Sequence, residues 1–261
     1  MSKTVAIIQA RMGSSRLPGK VLQNLGGQSM LARVLNRAGR AVGLDELVVA
    51  TTLEKGDDAL QAFCEQKGIT CFRGDPYDVL DRYYQCARLV EAETVVRITA
   101  DCPFIAAEEI ERVLRVFQTG EYDFVANRLP PPFKRTSPIG MDIEVVSFAN
   151  LERAWQEAKE PYEREHVMPY FYDSAGRFRV KLVQRRPSLG HLRFTVDTLE
   201  DLALAREIFA AFDNRDEFTL AELLAANALH PEWQASVSTV KHKSFKDVDT
   251  RRPRSNGEAH G

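Results

Sequence analysis

Three cations, two hydroxyls and two glycines crowd into the stretch Gln9-Ala10-Arg11-Met12-Gly13-Ser14-Ser15-Arg16-Leu17-Pro18-Gly19-Lys20. Arg11, Arg16 and Lys20 can neutralise phosphate oxygens, Ser14 and Ser15 can donate hydrogen bonds, and the glycines let backbone N–H groups approach an anion closely. That inventory suits a polyphosphate; the plainer alternative is a basic surface loop. Far along the chain, Asp101 in Ala100-Asp101-Cys102-Pro103 offers a hard oxygen ligand of the kind that holds Mg²⁺ beside phosphates. Asp197, in Val196-Asp197-Thr198, can be a second such ligand or the N-cap of a following helix.

These residues need a frame that brings them to one edge. Short apolar runs at 5–8, 47–50 and 94–98 are each followed by a helical pattern, at 29–40, 57–67 and 106–117, with a further helix over 77–89. Strands alternating with helices predict a largely parallel sheet covered on both faces. The cationic loop then follows the first strand and Asp101 the strand 94–98, at the carboxyl edge where open α/β sheets bind ligands. Beyond residue 120 the alternation loosens. A strand-like 124–126, a proline-rich stretch (Pro130, Pro131, Pro132, Pro138) and an alternating segment 141–146 form an excursion. Helices are expected at 149–158, 163–172, 199–211 and 219–228, strands at 180–183 and 192–196. From 241 to 261 the chain reads as a polar, solvated tail, and no internal repeat is found.

Lys plus Arg number 35 against 37 Asp plus Glu, for a net charge of −2, which argues against a bulk electrostatic grip on nucleic acid or anionic lipid. Any anion site must be local. No apolar run approaches a membrane span, and the start passes directly into a strand pattern, so the expectation is a soluble, cytoplasmic protein. Cys64, Cys71, Cys86 and Cys102 show neither C-x-x-C spacing nor clustered His, the pattern of reduced thiols. The loop is no Walker A motif: Gly13 and Gly19 are one residue too far apart, and Val21 stands where Ser or Thr would meet Mg²⁺. A G-x-G-x-x-G fingerprint is missing as well.

Ala10-Arg11 with Gly13 to Lys20 resembles the signature of the cytidylyltransferase family, which includes the acylneuraminate and 3-deoxy-manno-octulosonate cytidylyltransferases. Four further segments resemble its spore coat polysaccharide biosynthesis protein F branch: 97–103, 138–145, 164–170 and 192–201. They keep the expected order across about residues 5 to 205. Leu199 replaces the family's usual proline and Met168 a common Thr; neither removes a charged position.

The resemblance implies one α/β domain over 1–240, of the nucleotide-diphospho-sugar transferase type. This is a Rossmann-like three-layer fold with a mixed, mostly parallel central sheet, whose excursion over about 125–190 supports the acceptor or a homodimer. It implies cytidylyl transfer from CTP to a sugar acid or related acceptor, with pyrophosphate released, in surface polysaccharide or glycan biosynthesis. Asp101 and Asp197 would hold catalytic Mg²⁺. Arg11, Arg16 and Lys20 would act on the phosphates, Lys20 nearest the transferred phosphorus and Arg16 nearest the leaving pyrophosphate. Ala10, Gly13, Ser14, Ser15, Arg73 and Asp78 would complete the nucleotide site, although Asp75-Pro76 beside the last two is also a good turn and helix start. Glu165 and His166 would bind acceptor. Asp142 and Glu144, alternating on a strand, could serve the acceptor, a second Mg²⁺ or a neighbouring subunit. Two rival readings remain: another nucleoside triphosphate or a small phosphate or phosphonate acceptor, and a subunit that binds nucleotide without turnover.

Overall fold

The computed structural model describes residues 2–237, so the expected tail at 241–261 lies outside the described residues. Strand β1 (Thr4–Gln9) is followed by the loop carrying the cations, a short hairpin of β2 (Asn24–Leu25) and β3 (Gln28–Ser29), and helix α1 (Met30–Ala38). Two more strand and helix units follow: β4 (Glu46–Thr52) with α2 (Asp58–Lys67), and β5 (Thr70–Gly74) with α3 (Val79–Leu89). Next come β6 (Thr94–Thr99), α4 (Ala107–Phe117) and β7 (Phe124–Ala126). The main sheet is ordered β5-β4-β1-β6-β8-β7-β9, where β8 is Glu144–Ser147 and β9 is Val180–Leu182. Only β8 runs against its neighbours, so the sheet is mixed and mostly parallel, as expected.

Alternation along β1 shows why the fold has three layers. Ala6 and Ile8 face a core with Leu31, Val34 and Ile110, whereas Val5 and Ile7 face a second core with Leu80, Tyr83 and Phe171. All four are fully buried, and a strand buried on both faces reads as the unbroken apolar run seen in the sequence. The second core is closed by α5 (Phe148–Glu157), α6 (Pro161–His166) and α7 (Pro169–Tyr172), the first by α8 (Leu199–Ala211), α9 (Leu220–Leu229) and α10 (Glu232–Ser236). Among the described residues no helix is long and apolar enough to cross a membrane. All four cysteines are free thiols, Cys71 half-buried and the others buried.

Three expectations change. The helix at 163–172 is two helices, because Val167 takes φ 70° and ends α6 before Pro169 opens α7. The segment 192–196 is no sheet strand. It is extended and apolar, but a single parallel bridge between Arg193 and Ile139 is all the pairing it makes, and Val196 N–H instead donates to Asp101 O at 2.9 Å. Gly140 makes that crossing possible: at φ 93°, a Cβ there would stand 2.6 Å from the Phe194 carbonyl carbon. Finally, the alternating 141–146 enters the sheet only at Glu144, and β5 had no apolar run to announce it.

Candidate active site

Ala10 N–H extends the β1–β4 ladder by donating to Ala50 O at 3.1 Å, and the chain then folds back on itself. Met12 O accepts from both Ser14 N–H and Gly19 N–H at 2.9 Å, and Gly19, at φ 69°, turns the loop into a short 3₁₀ turn over Lys20–Leu22. The loop is moored from outside by fully buried Asp57. One Asp57 oxygen accepts from Met12 N–H at 2.7 Å; the other takes Thr52 N–H at 3.2 Å and the Thr52 hydroxyl.

Lys20 is buried and directs its ammonium at three oxygens. Nζ donates to Asp101 Oδ2 at 2.9 Å, Asp197 Oδ1 at 2.9 Å and Val196 O at 2.8 Å, which uses all three of its protons. The ammonium thus stands as a clamp between the two carboxylates, at the wall of the smaller compartment where it is expected to meet the phosphates. Burial alone would lower the Lys20 pKa, but the Asp101 and Asp197 charges outweigh it and hold it above its ordinary value. Burial likewise pushes the Asp101 carboxyl up, and Lys20 with the Thr99 hydroxyl pulls it down further, to about 2.

Asp197 is not a helix cap. The cap of α8 is Thr198, whose side chain accepts from Asp201 N–H while Asp201 reaches back in a reciprocal capping box. Asp197 is thus left to the site, where its Oδ1 also meets Arg16 Nη2 at 3.0 Å and its Oδ2 meets Arg193 Nη2 at 3.1 Å. Arg193 is in turn fixed by Asp201 through two contacts of 2.7 Å.

Two compartments meet over these groups and share Arg16, Thr99, Asp101 and Asp197. The smaller, about 220 Å³, is lined by Gln9, Arg11, Ser14, Ser15 and Lys20 among others. The larger, about 650 Å³, extends over Arg128, Phe133, Arg135, Ile139, Gly140 and Asp142. A cationic cleft thus adjoins a roomier one, with two carboxylates at the junction. Among the described residues no three acidic, His or Cys side chains come together in a group that could hold a metal ion by themselves. Two convergent carboxylate oxygens still fit Mg²⁺, which is commonly held by one or two carboxylates plus substrate phosphates.

The family model described as cytidylyltransferase matches residues 5–226. The chain belongs to the cytidylyltransferase family. It is 31% identical over 242 residues to the spore coat polysaccharide biosynthesis protein SpsF of Bacillus subtilis, covering 89% of this chain and 97% of that one. A 3-deoxy-manno-octulosonate cytidylyltransferase of an Anaeromyxobacter species is 30% identical over 245 residues, covering 81% and 98%. The solved structure of a cytidylyltransferase from Leptospira borgpetersenii superposes with a TM-score of 0.84 at 30% identity, covering 93% of this chain and all of that one.

Within this cytidylyltransferase framework the expected residues divide. Arg11, Ser14, Ser15, Arg16, Lys20, Asp101 and Asp197 come together at the smaller compartment, and Ala10 is buried beneath it. Gly13 lies in the loop and lines neither compartment. Arg73 turns away to Thr52 O (2.8 Å), Glu54 O (2.9 Å), Asp58 (2.7 Å) and Gln61 (2.9 Å), so it braces β5 on α2. Asp78 caps α3 and holds Arg164 at 2.6 Å, the turn-and-cap alternative for this segment. Asp142 lines the larger compartment, held by both terminal nitrogens of Arg135. Glu144 is buried in the sheet against Arg97 at 2.5 Å and, with Glu165 and His166 on α6, lines neither compartment.

Sequence reasoning missed Asp57, Arg128, Arg135, Arg193 and Asp201. Arg193 and Asp201 lay inside a segment read for Asp197 alone, and their eight-residue spacing was the available signal. Asp57, in a polar turn 45 residues from Met12, offered none.

Proposed function

We propose that the protein transfers a cytidylyl group from CTP to an oxygen nucleophile on a small acceptor of the sugar-acid class, releasing pyrophosphate. The observation that carries this reading is the junction of two compartments over Asp101 and Asp197. The cationic lining of the smaller, with Arg11, Arg16 and Lys20, suits a triphosphate, and the larger, at about 650 Å³, suits the acceptor. The acceptor hydroxyl gives up its proton to solvent and its oxygen bonds to the α-phosphorus as the bond from that phosphorus to the bridging oxygen breaks, and the electron pair leaves with pyrophosphate. No covalent enzyme intermediate is required.

Catalysis of this type is chiefly positioning and charge neutralisation. Arg11 and the Ser14 and Ser15 hydroxyls bind the triphosphate, and Arg16, at the junction, neutralises the departing charge. Asp57 keeps the loop in shape. Lys20 holds the two carboxylates in register and neutralises their mutual repulsion until substrate arrives. Mg²⁺ on Asp101 and Asp197 would supply further neutralisation of phosphate charge.

Pyrophosphate release measured with CTP, UTP, ATP and GTP against a panel of sugar acids and phosphorylated acceptors tests the reading. Release confined to CTP with a sugar acid is the expected result. Release with another nucleotide, or nucleotide binding without turnover, would replace it with the corresponding rival.

A further inference from the structure

The larger compartment is lined by three carboxylates and three guanidinium groups, and their pairing is uneven. Asp101 is met by Lys20, Asp142 by both terminal nitrogens of Arg135, and Asp197 by Lys20, Arg16 and Arg193. Arg128 lines the same compartment and makes no hydrogen bond or ion pair among the described residues. Every carboxylate there is thus already satisfied, and one cation is left over.

The backbone beneath Arg128 is anchored. Its predecessor Asn127 is fully buried: Nδ2 donates to Met141 O at 2.7 Å, and Oδ1 accepts from Ile143 N–H at 2.9 Å. Its successor Leu129 is buried as well, so the backbone that carries Arg128 is held on both sides. The same compartment has an apolar part to its lining, from Leu129, Pro131, Phe133 and Ile139, and Phe133 is 52% exposed. A guanidinium in a compartment whose lining is partly apolar, with no ion-pair partner among the described residues, matches a ligand that carries an anionic group beside a hydrocarbon or sugar-ring face.

We propose that Arg128 is the specificity-determining residue of the acceptor compartment, which takes an acceptor bearing a carboxylate or phosphate group held by that guanidinium. The inference rests on the reading of the larger compartment as the acceptor site. It deepens that reading by making the anionic group obligatory and naming the side chain that detects it. A neutral acceptor would leave Arg128 without a partner inside a partly desolvated site, a cost that discriminates against it.

The test compares wild type, Arg128→Gln and Arg128→Lys by calorimetric titration with 3-deoxy-manno-octulosonate, glucose 6-phosphate and glucose, with CTP titrated separately. One anionic ligand is expected to bind wild type well above glucose. Arg128→Gln should weaken that ligand ~10- to 100-fold, the size of one lost charge-assisted contact, with Arg128→Lys recovering part. Whichever anion responds identifies the group, carboxylate or phosphate. CTP affinity should stay within about twofold and Tm should not fall, because Arg128 makes no hydrogen bond or ion pair among the described residues; a merely structural residue would lower Tm and leave the anion preference intact. Equal binding of all three ligands, or an unchanged anion affinity in Arg128→Gln, overturns the assignment. Loss of CTP binding in wild type with the Arg128-dependent anion response preserved would instead overturn the cytidylyl-transfer reading and leave Arg128 in place.

Discussion

The Lys20 ammonium and the Asp101 carboxylate, 81 residues apart in the chain, meet at 2.9 Å, and the same nitrogen reaches Asp197 at 2.9 Å. Two carboxylates converging on one point repel each other unless a cation stands between them, and here the chain supplies its own. Lys20→Ala would leave that repulsion uncompensated and strip Val196 O of its donor. Chemical denaturation should show a loss on the order of 3 kcal/mol, and kcat should fall ~100-fold. Saturating Mg²⁺ should restore stability to Lys20→Ala more than to wild type. Equal responses would argue that the two carboxylates do not form a cation site.

Thr198 and Asp197 are adjacent residues with separate tasks. Thr198→Ala removes the cap of α8 and should cost about 1 kcal/mol with kcat within a few-fold of wild type. Asp197→Asn should do the reverse, keeping Tm within a few degrees while turnover drops by orders of magnitude. Paired melting curves and initial rates check both, and a catalytically normal Asp197→Asn would remove this residue from the reaction.

The fold was legible wherever a strand is buried on both faces, because β1, β4 and β6 are then unbroken apolar runs. It was illegible where the surroundings decide. The edge strand Thr70–Gly74 has one neighbour and no apolar pattern, and Val167 breaks a helix through a backbone angle its side chain does not advertise. The site divides in the same way. The loop and the two Asp residues could be read because local motifs mark them, the loop and Asp101 after strands and Asp197 just before a capped helix. That Lys20 clamps those carboxylates, and that Glu144 faces Arg97 inside the sheet, depends on which segments the fold brings together.

Asp57 acts through the loop and touches no part of either compartment's lining. Asp57→Ala leaves Met12 N–H and Thr52 N–H without acceptors, which should cost about 3 kcal/mol and raise the KM for CTP more than it lowers kcat. Asp57→Asn keeps one amide oxygen and should be milder in both. A KM unchanged in the alanine variant would separate the loop's shape from nucleotide binding.

The pH dependence follows from two opposed shifts. Asp101 is held at about 2, below its ordinary 3.8, so its share of stability is complete above pH ~4 and lost as the pH falls toward 2. Lys20 is raised, so its share is complete below its ordinary value of 10.5 and lost only as the pH climbs through the higher folded value. Thermal melting of wild type and Asp101→Asn should give a Tm difference that is flat from pH 5 to 9 and narrows between pH 4 and 2. A difference that already varies near neutrality would contradict the assigned ionisation states.

The most direct test of the account follows the phosphorus itself. CTP labelled at the α-phosphate is incubated with Mg²⁺, a sugar acid such as 3-deoxy-manno-octulosonate, and either wild type or Asp197→Asn; labelled products are separated and pyrophosphate is counted. Wild type should move the label onto the acceptor with one pyrophosphate released per transfer, and Asp197→Asn should move almost none. Label that stays in CTP, appears as free CMP without acceptor, or transfers equally well in the variant would contradict cytidylyl transfer at the junction of the two compartments.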